Sequence, residues 1–357
     1  MKRYYYIFTP GKLRRKDNTV FFIPFKDPEL EDDENYQNEI LMSFDGDYED
    51  VLPTNKIVLP INDIDSIFLM THATFNTKFI DFCSQNGIPI HFFNHYGYYD
   101  GSFYPREMLL SGRLLVKQVQ HYNSKQKRLF IAKKFIEAGI YNILKNLKYY
   151  GSRERDLSNH ISEINLITSE LNDENEIVDI MNVEGRIRKI YYSSFDQIIK
   201  SDLKFGTRIY NPPGNEINAL MSYINALVYS AVISEIYRSQ LNPTISYLHE
   251  PGERRFSLAL DISEIFKPIF ADRILFKLLN NEELTDKHFV SKLNGCYMNE
   301  KGRKIVVEEF DEKLKTIVKH KNLNRQCSYR RIIRLECYKL IKHLLGDKEY
   351  EPFKIWW

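Results

Sequence analysis

Near residue 106 the hydrophobic rhythm of the chain changes, and it changes once. Before that point the apolar residues come in short β-rich runs, YYYIF (4–8), TVFFIPF (19–25), KIVLPI (56–61), SIFLM (66–70) and IPIHFF (88–93), separated by Pro, Gly, Asn and Asp. Such runs predict strands. One short helix is predicted at 74–85, where Phe75, Phe79, Ile80 and Phe82 recur at helical spacing and Gly87 supplies the stop. After residue 106 the period is that of a helix, with Leu109, Leu110, Leu114, Leu115 and Val119, then Leu129, Ile131, Phe135 and Ile136. Further helical runs cover roughly 158–172, 176–198, 215–240, 258–280, 308–320 and 325–345. The start at Asn215 is well marked, because Pro212-Pro213-Gly214 stands just ahead of a stripe of Leu220, Met221, Ile224, Leu227 and Val228. The expected fold is α+β: a small β-rich N-terminal domain (1–96), a linker (97–106) and a larger all-helical domain (107–357).

A chain of 357 residues is long enough for two such domains, each with its own core. With 43% hydrophobic and 27% charged residues it reads as globular rather than disordered. Its net charge of +2 hides an uneven distribution. Residues 27–50 hold eleven Asp or Glu and no Lys or Arg, so the rest of the chain carries +13. That acidic stretch is expected to be an exposed hairpin extension or a mobile loop. Residues 113–155 contain eleven Lys or Arg against two acids, interleaved with Tyr122, Tyr141, Tyr149 and Tyr150, and residues 313–342 contain ten against one. One-sidedness of that kind favours a surface that tracks phosphates, with recognition through backbone and strand ends more than base edges. Cys83, Cys296, Cys327 and Cys337 form no CxxC pair and suit a reducing compartment. The start MKRYYYIFTPGKLRRK reads as a strand ending in a turn, not a signal peptide. The strongest apolar window, Ile224–Ile233, is interrupted by Asn225, Tyr229 and Ser230, so no membrane span is expected and the protein reads as cytoplasmic.

Three features are out of place in their surroundings. On the helical run 176–198 the apolar stripe is Ile177, Ile180, Met181, Ile187 and Tyr191, and Glu184 falls on that face. A carboxylate facing a core needs a partner, which a neighbouring Arg186 or Arg188 would supply in a purely structural role. His249, in SYLHEPGERR, sits in a loop between apolar Tyr247-Leu248 and a Pro-Gly break. Asp261 and Glu264, in SLALDISEIFKPIF, share one side of a helix at i, i+3 and are crowded by Leu258, Leu260, Ile262, Ile265 and Phe266. Two acids that close repel unless a cation lies between them, although acids in an early helical turn can also answer the helix dipole. Taken together, a Glu, a His and an Asp-x-x-Glu within one helical domain suit a hard divalent ion, Mg²⁺ or Mn²⁺, the latter also accepting an imidazole. Lys267, Arg254 and Arg255 place positive charge beside the acids, as phosphodiester chemistry requires. No P-loop, strand-linked GxGxxG or GxSxG offers another chemistry.

At these residues the chain resembles the CRISPR-associated adaptation integrase, the metal-dependent DNA endonuclease that inserts new spacers into CRISPR arrays. The matching segments are GYYDGSFYPRE (97–107), SGRLLVKQVQHY (111–122), NVEGRIRKIYYSSF (182–195), PPGNEINALMSY (212–223), NPTISYLHEPGERRFSLALDISEIFKP (242–268) and RQCSYRRIIRLECYKLIKHLL (325–345). The resemblance implies that Glu184, His249 and Glu264 are metal ligands, with Asp261 supporting them or reaching the metal through water. It implies that the helical domain is catalytic, and that Lys267 and Arg208 face DNA phosphate. It further implies a homodimer paired through the β-domains, and two such dimers clamping a dimer of a small adaptation partner protein into a heterohexamer on double-stranded DNA. The 3′-hydroxyl of a spacer precursor would attack a repeat phosphodiester. The acidic stretch 27–50 is longer than the resemblance leads one to expect, and would repel DNA or receive a basic partner. Two other functions remain compatible with these residues: a structure-selective nuclease on branched DNA, and a non-catalytic DNA-binding scaffold whose acids are buried structural pairs.

Overall fold

The structure is a computed structural model. It describes residues 2–25, 56–153, 155–252, 256–292, 295–320 and 325–356, so the acidic stretch 27–50 and Arg254 and Arg255 lie outside the described residues. The chain divides into two compact units, Met1–Met108 and Leu109–Trp357.

The first unit contains β1 (Arg3–Ile7), β2 (Gly11–Lys16), β3 (Thr19–Pro24), β4 (Ile57–Pro60), β5 (Ile64–Leu69), β6 (Ala73–Phe75), α1 (Thr77–Gln85), β7 (Ile90–Phe93) and β8 (Tyr99–Phe103). One sheet has the order β1-β5-β7-β8, with β1, β5 and β7 parallel and β8 antiparallel to β7. The other has the order β4-β3-β2-β6, an antiparallel meander of β2, β3 and β4 with β6 added parallel to β2. Ile7, Ile67, Leu69 and Ile90 of the first sheet meet Leu13, Val20, Phe22 and Leu59 of the second, and Phe79, Phe82 and Cys83 of α1 complete that core. All six residues of β5 are buried, Asp65 and Ser66 among them, and its other face presents Phe68 to Tyr4, Tyr6 and His91. Two readings change. The helix expected from 74 starts at Thr77, because the side chain of Asn76 accepts the amide of Phe79 (3.1 Å) while Ala73–Phe75 is a strand. Tyr99–Phe103, read as linker, is the edge strand β8.

The second unit contains α2 (Gly112–Asn123), α3 (Lys125–Gly151), α4 (Ser158–Glu170), α5 (Ile177–Ser193), α6 (Phe195–Ile198), α7 (Glu216–Tyr237), α8 (Ser257–Lys267), a π-helical turn (Pro268–Asp272), α9 (Arg273–Asn280), β9 (Phe289–Lys292), β10 (Gly295–Met298), α10 (Glu300–Lys315), β11 (Ile317–His320), β12 (Arg325–Ser328) and α11 (Tyr329–Leu345). It is a helical unit that also carries two small antiparallel hairpins, β9–β10 and β11–β12. The helix expected over 308–320 ends at Lys315, and β11 follows from Ile317. Asn215 caps α7 by accepting the amide of Asn218 (2.9 Å). Among the described residues α7 is the one helix long and apolar enough to cross a membrane, and 78% of that apolar window is buried inside the unit. Packed on all sides, it reads as the central core helix.

Helix α8 lies between α7 and α3. The single helix expected over 258–280 is interrupted at Pro268, which has no N–H to give the carbonyl of Glu264. Helix α3 uses that gap. A side chain added at Gly139 would put its Cβ 3.1 Å from the Glu264 carbonyl oxygen, so the glycine is what lets the two helices approach there. One turn on, the buried Asn142 donates to the carbonyl of Ile265 (3.0 Å) and accepts the amide of Ile355 (3.0 Å). A further turn on, the buried Asn146 donates to the carbonyl of Pro268 (2.8 Å) and to the Tyr191 hydroxyl (3.1 Å), and accepts from Arg273 Nε (2.8 Å). Buried backbone acceptors must be satisfied, and this polar stripe of α3 does so where α8 changes pitch.

Candidate active site

Helix α8 has hardly any solvent face: Asp261 and Glu264 are buried along with Leu258, Ile262 and Ile265. The two acids have different partners. Oδ2 of Asp261 accepts the amides of Tyr247 (2.6 Å) and Leu248 (3.0 Å), and Oδ1 accepts the amide (3.0 Å) and the ring Nδ1–H (2.8 Å) of His249. Those four donors fill the lone-pair positions of a carboxylate. The loop before α8 is therefore wound onto one buried charge, and a water-bridged metal contact by Asp261 has no lone pair left to use. Because the carboxylate only accepts, Nδ1 of His249 carries the proton and Nε2 of the neutral ring presents a lone pair.

A second clamp holds the same loop from α2 and α3. Arg128 donates through Nε to the carbonyl of Tyr247 (2.9 Å) and through Nη2 to Glu250 (2.6 Å), and Tyr122 donates to the other oxygen of Glu250 (2.9 Å). Burial works against protonation of His249, but the hydrogen bond and charge of Asp261, with the charge of Glu264, hold its pKa above the ordinary imidazole value.

Glu264 points to cations. Its Oε1 takes Lys267 Nζ (2.5 Å) and its Oε2 takes Nη2 of Arg188. Burial alone would raise this acid, yet the neighbouring Lys267 and Arg188 bring its pKa down to about 2. Arg188 lies on α5 one turn after Glu184, and its Nε is paired with that carboxylate. One guanidinium thus joins a carboxylate of α5 to a carboxylate of α8. The expected pairing of Glu184 with Arg186 or Arg188 resolves in favour of Arg188, while Arg186 pairs with Glu170. Asp261 and Glu264 do not share a cation, and neither sits in the first turn of α8, so the helix dipole is not their partner.

Lys267 stands at this site; Arg208 plays another part. Arg208 donates through Nη1 to the side-chain oxygen (3.0 Å) and carbonyl (3.2 Å) of Asn218 and to its neighbour's carbonyl at Ile209 (3.1 Å), and through Nη2 to Ser222 (2.9 Å). Those contacts brace the loop before α7, so in this structure Arg208 is engaged with its own chain. Sequence reasoning did not assign Arg188 as the hub between the two acids, although its i, i+4 spacing from Glu184 was a visible signal. It missed Glu250, Asn146 and Asp272, for which local sequence holds no signal.

Among the described residues no three His, Cys, Asp or Glu side chains close into a ready cation cage. Two carboxylates from separate helices and an imidazole nitrogen with its tautomer set by Asp261 nevertheless form a donor set that fits Mg²⁺ or Mn²⁺. The cation between the carboxylates in this structure is Arg188.

A family model described as "CRISPR associated protein Cas1" matches residues 5–312. A CRISPR-associated endonuclease Cas1 of Fusobacterium nucleatum is 47% identical over 357 residues, covering 100% of this chain and 98% of its own length. The structure of a Cas1 protein from Thermotoga maritima superposes with a TM-score of 0.82 at 32% identity, covering 99% of this chain and 100% of that one. A casposase bound to its integration product shares the fold at 20% identity, with a TM-score of 0.80 and coverage of 98% of this chain and 92% of that one.

Proposed function

The chain belongs to the CRISPR-associated Cas1 family, and on that premise we propose that Glu184, His249 and Glu264 form a metal-dependent centre for joining spacer DNA to a CRISPR array. The protein is a spacer integrase and nuclease. The observation that supports the site best is the meeting of Glu184 of α5 and Glu264 of α8 on one cation. Beside them stands an imidazole whose outer nitrogen is fixed by Asp261.

Mg²⁺ or Mn²⁺ would be held by the two carboxylates and Nε2 of His249, and Mn²⁺ suits the mixed oxygen and nitrogen set better. When bound, the ion supplies Lewis acidity to a phosphoryl oxygen and offsets the charge that develops there. The remaining roles belong to the chain itself. Asp261 keeps Nδ1–H in place so that Nε2 stays a lone-pair donor, as carboxylate partners of ligating histidines do. Lys267, only partly exposed, carries positive charge next to Glu264 and would hold the scissile phosphate. Arg128 and Tyr122 hold the loop that carries His249. In the reaction the 3′-oxygen of a spacer precursor forms the new P–O bond, the repeat's own 3′-oxygen leaves, and protons pass to and from solvent. His249, as a ligand, is not the base.

DNA and a protein partner complete the system. We assign the double-stranded DNA to the helical domain, homodimerisation to the β-rich domain, and a heterohexamer to the union with the small adaptation partner. The test is strand transfer on an integration-mimicking branched duplex with Mn²⁺. Glu184→Ala, His249→Ala and Glu264→Ala should each abolish joining while the circular dichroism spectrum and cooperative unfolding are kept; joining by any one of them sinks the assignment. The ion pairs of Arg188 also support a second reading, a scaffold in which the acids are structural. On that reading Glu184→Ala would unfold the protein and calorimetric titration would find no divalent binding.

A further inference from the structure

We propose that Arg188 is a built-in counter-cation which a divalent ion must displace from between Glu184 and Glu264, and that Asp272 receives the displaced guanidinium. The inference rests on the metal-site reading above and concerns what this chain does before and after loading.

Arg188 is the contact that joins the two acids. Its Nε is given to Glu184, its Nη2 to Glu264, and its Nη1 reaches the hydroxyl of Tyr192 (3.4 Å), with only 14% of its side chain exposed. Without a cation there, two carboxylates would face each other in a largely dry site and repel. With Arg188 there, an incoming dication meets both an occupied position and a like charge, and Lys267 adds a second like charge from the other side of Glu264. Loading is therefore an exchange of cations rather than the filling of a gap, and the guanidinium needs somewhere to go.

Asp272 supplies that place. It ends the π-helical turn after α8, a kind of turn that often marks functional positions. It is buried, with Tyr191 as its hydrogen-bonding neighbour, and among the described residues its Oδ2 takes no close donor. A buried carboxylate oxygen without a donor calls for an explanation. Tyr191, next in sequence to the Tyr192 contact of Arg188, is buried against this turn with its hydroxyl accepting from Asn146 and turned toward Asp272, and Arg188 and Lys267 are the cations whose charge Asp272 feels. A donor released from the Glu184–Glu264 pair would satisfy the orphaned oxygen, and the site would keep its positive charge close to where phosphate binds.

The experiment is calorimetric titration of Mn²⁺ into the full-length protein without DNA, comparing wild type with Arg188→Gln, Asp272→Asn, the double variant, and Glu184→Gln as the site control. Arg188→Gln should bind Mn²⁺ at least tenfold more tightly, because nothing competes for the two carboxylates. Asp272→Asn should bind several-fold more weakly, and that penalty should largely vanish in the Arg188→Gln background. Unchanged or weaker binding by a folded Arg188→Gln protein overturns the proposal, as does an Asp272→Asn penalty that persists in full in the double variant. Should Arg188→Gln fail to fold, Arg188→Lys keeps the charge but replaces the rigid two-ended guanidinium fork with one strongly hydrated ammonium, and its Mn²⁺ affinity should still rise; an unchanged value overturns the proposal. If wild type binds no Mn²⁺, or Glu184→Gln binds as wild type does, the metal-site reading itself fails and this proposal with it. If Glu184→Gln abolishes binding while Arg188→Gln leaves it unaltered, only the exchange fails.

Discussion

Asp261 and Glu264 are three residues apart on one helix, both buried, and yet they do different work. The i, i+3 spacing in an apolar setting is legible as two acids on one side of α8, but it does not say what each acid meets. Glu264 meets cations from α5 and from its own helix. Asp261 meets the amides of a loop twelve to fourteen residues upstream, a tertiary contact that local pattern does not contain. Arg188 was closer to legible, since its spacing from Glu184 was visible while its second partner, 76 residues away, was not. The division predicts a specific outcome for Asp261→Asn. The new amide would turn an N–H toward donors already packed against it, leaving at least one buried N–H unsatisfied and the tautomer of His249 unset. We expect a loss of about 2–4 kcal/mol in unfolding free energy, from an orphaned donor in a disrupted buried network. Strand transfer should fall by roughly two orders of magnitude or more even below the unfolding transition, as when a histidine loses the acid that sets its tautomer. Strand-transfer rates at a temperature where the variant is still folded check this, and a rate within a few-fold of wild type would show that the tautomer is set otherwise.

At the scale of elements, the long helices and the strands with apolar runs were legible, and the short strands were not. β9, β11 and β12 are four residues each, and RQCS and IVKH carry no apolar alternation, because their pairing comes from each other and not from a buried face. Tyr99–Phe103 escaped for a similar reason, since YDGSF is turn-like in composition and becomes a strand only by pairing with β7. That pairing has a consequence for pH. His91 of β7 is fully buried, its ring lies 4.7 Å from that of Phe68, and its Nδ1 is 2.6 Å from the hydroxyl of Ser102 on β8. Burial drives its pKa down to about 3, so the folded sheet holds a neutral imidazole. An unfolded chain takes up the proton below pH of about 6.5, and between that value and about 3 it binds more protons than the folded one. Stability must then fall as pH falls through this window, by about 2 kcal/mol at pH 5 for this group. His91→Gln removes the term, so the stability advantage of wild type over the variant should be about 2 kcal/mol smaller at pH 5 than at pH 7.5. Denaturant unfolding of both full-length proteins at the two pH values measures it, and an equal advantage at both would mean that the imidazole is protonated in the fold.

For the whole molecule the decisive quantity is how charge is divided along the chain. A net +2 is the sum of a −11 segment at 27–50 and +13 elsewhere, much of it in the stretches 113–155 and 313–342. Phosphate binding releases counterions according to the cations in contact, whereas acids that touch no phosphate act only through the field, which salt screens over about 8 Å at physiological ionic strength. The two contributions therefore separate by their salt dependence. Replacing the eleven acids of 27–50 by Asn and Gln raises the formal charge to +13 without touching a cation. If the segment only repels DNA, duplex affinity should rise several-fold at about 50 mM salt and converge with wild type at several hundred millimolar, where the field is screened. If instead the acids receive a basic partner, duplex affinity should change little while binding of the small adaptation protein weakens. Titrations of both ligands at two salt concentrations distinguish these cases, and a variant unchanged toward DNA and partner alike would remove the segment from either role. The repulsive outcome is the one the charge division favours, because it lets a nearly neutral protein present a strongly basic surface to DNA and still turn DNA away from one part of its chain.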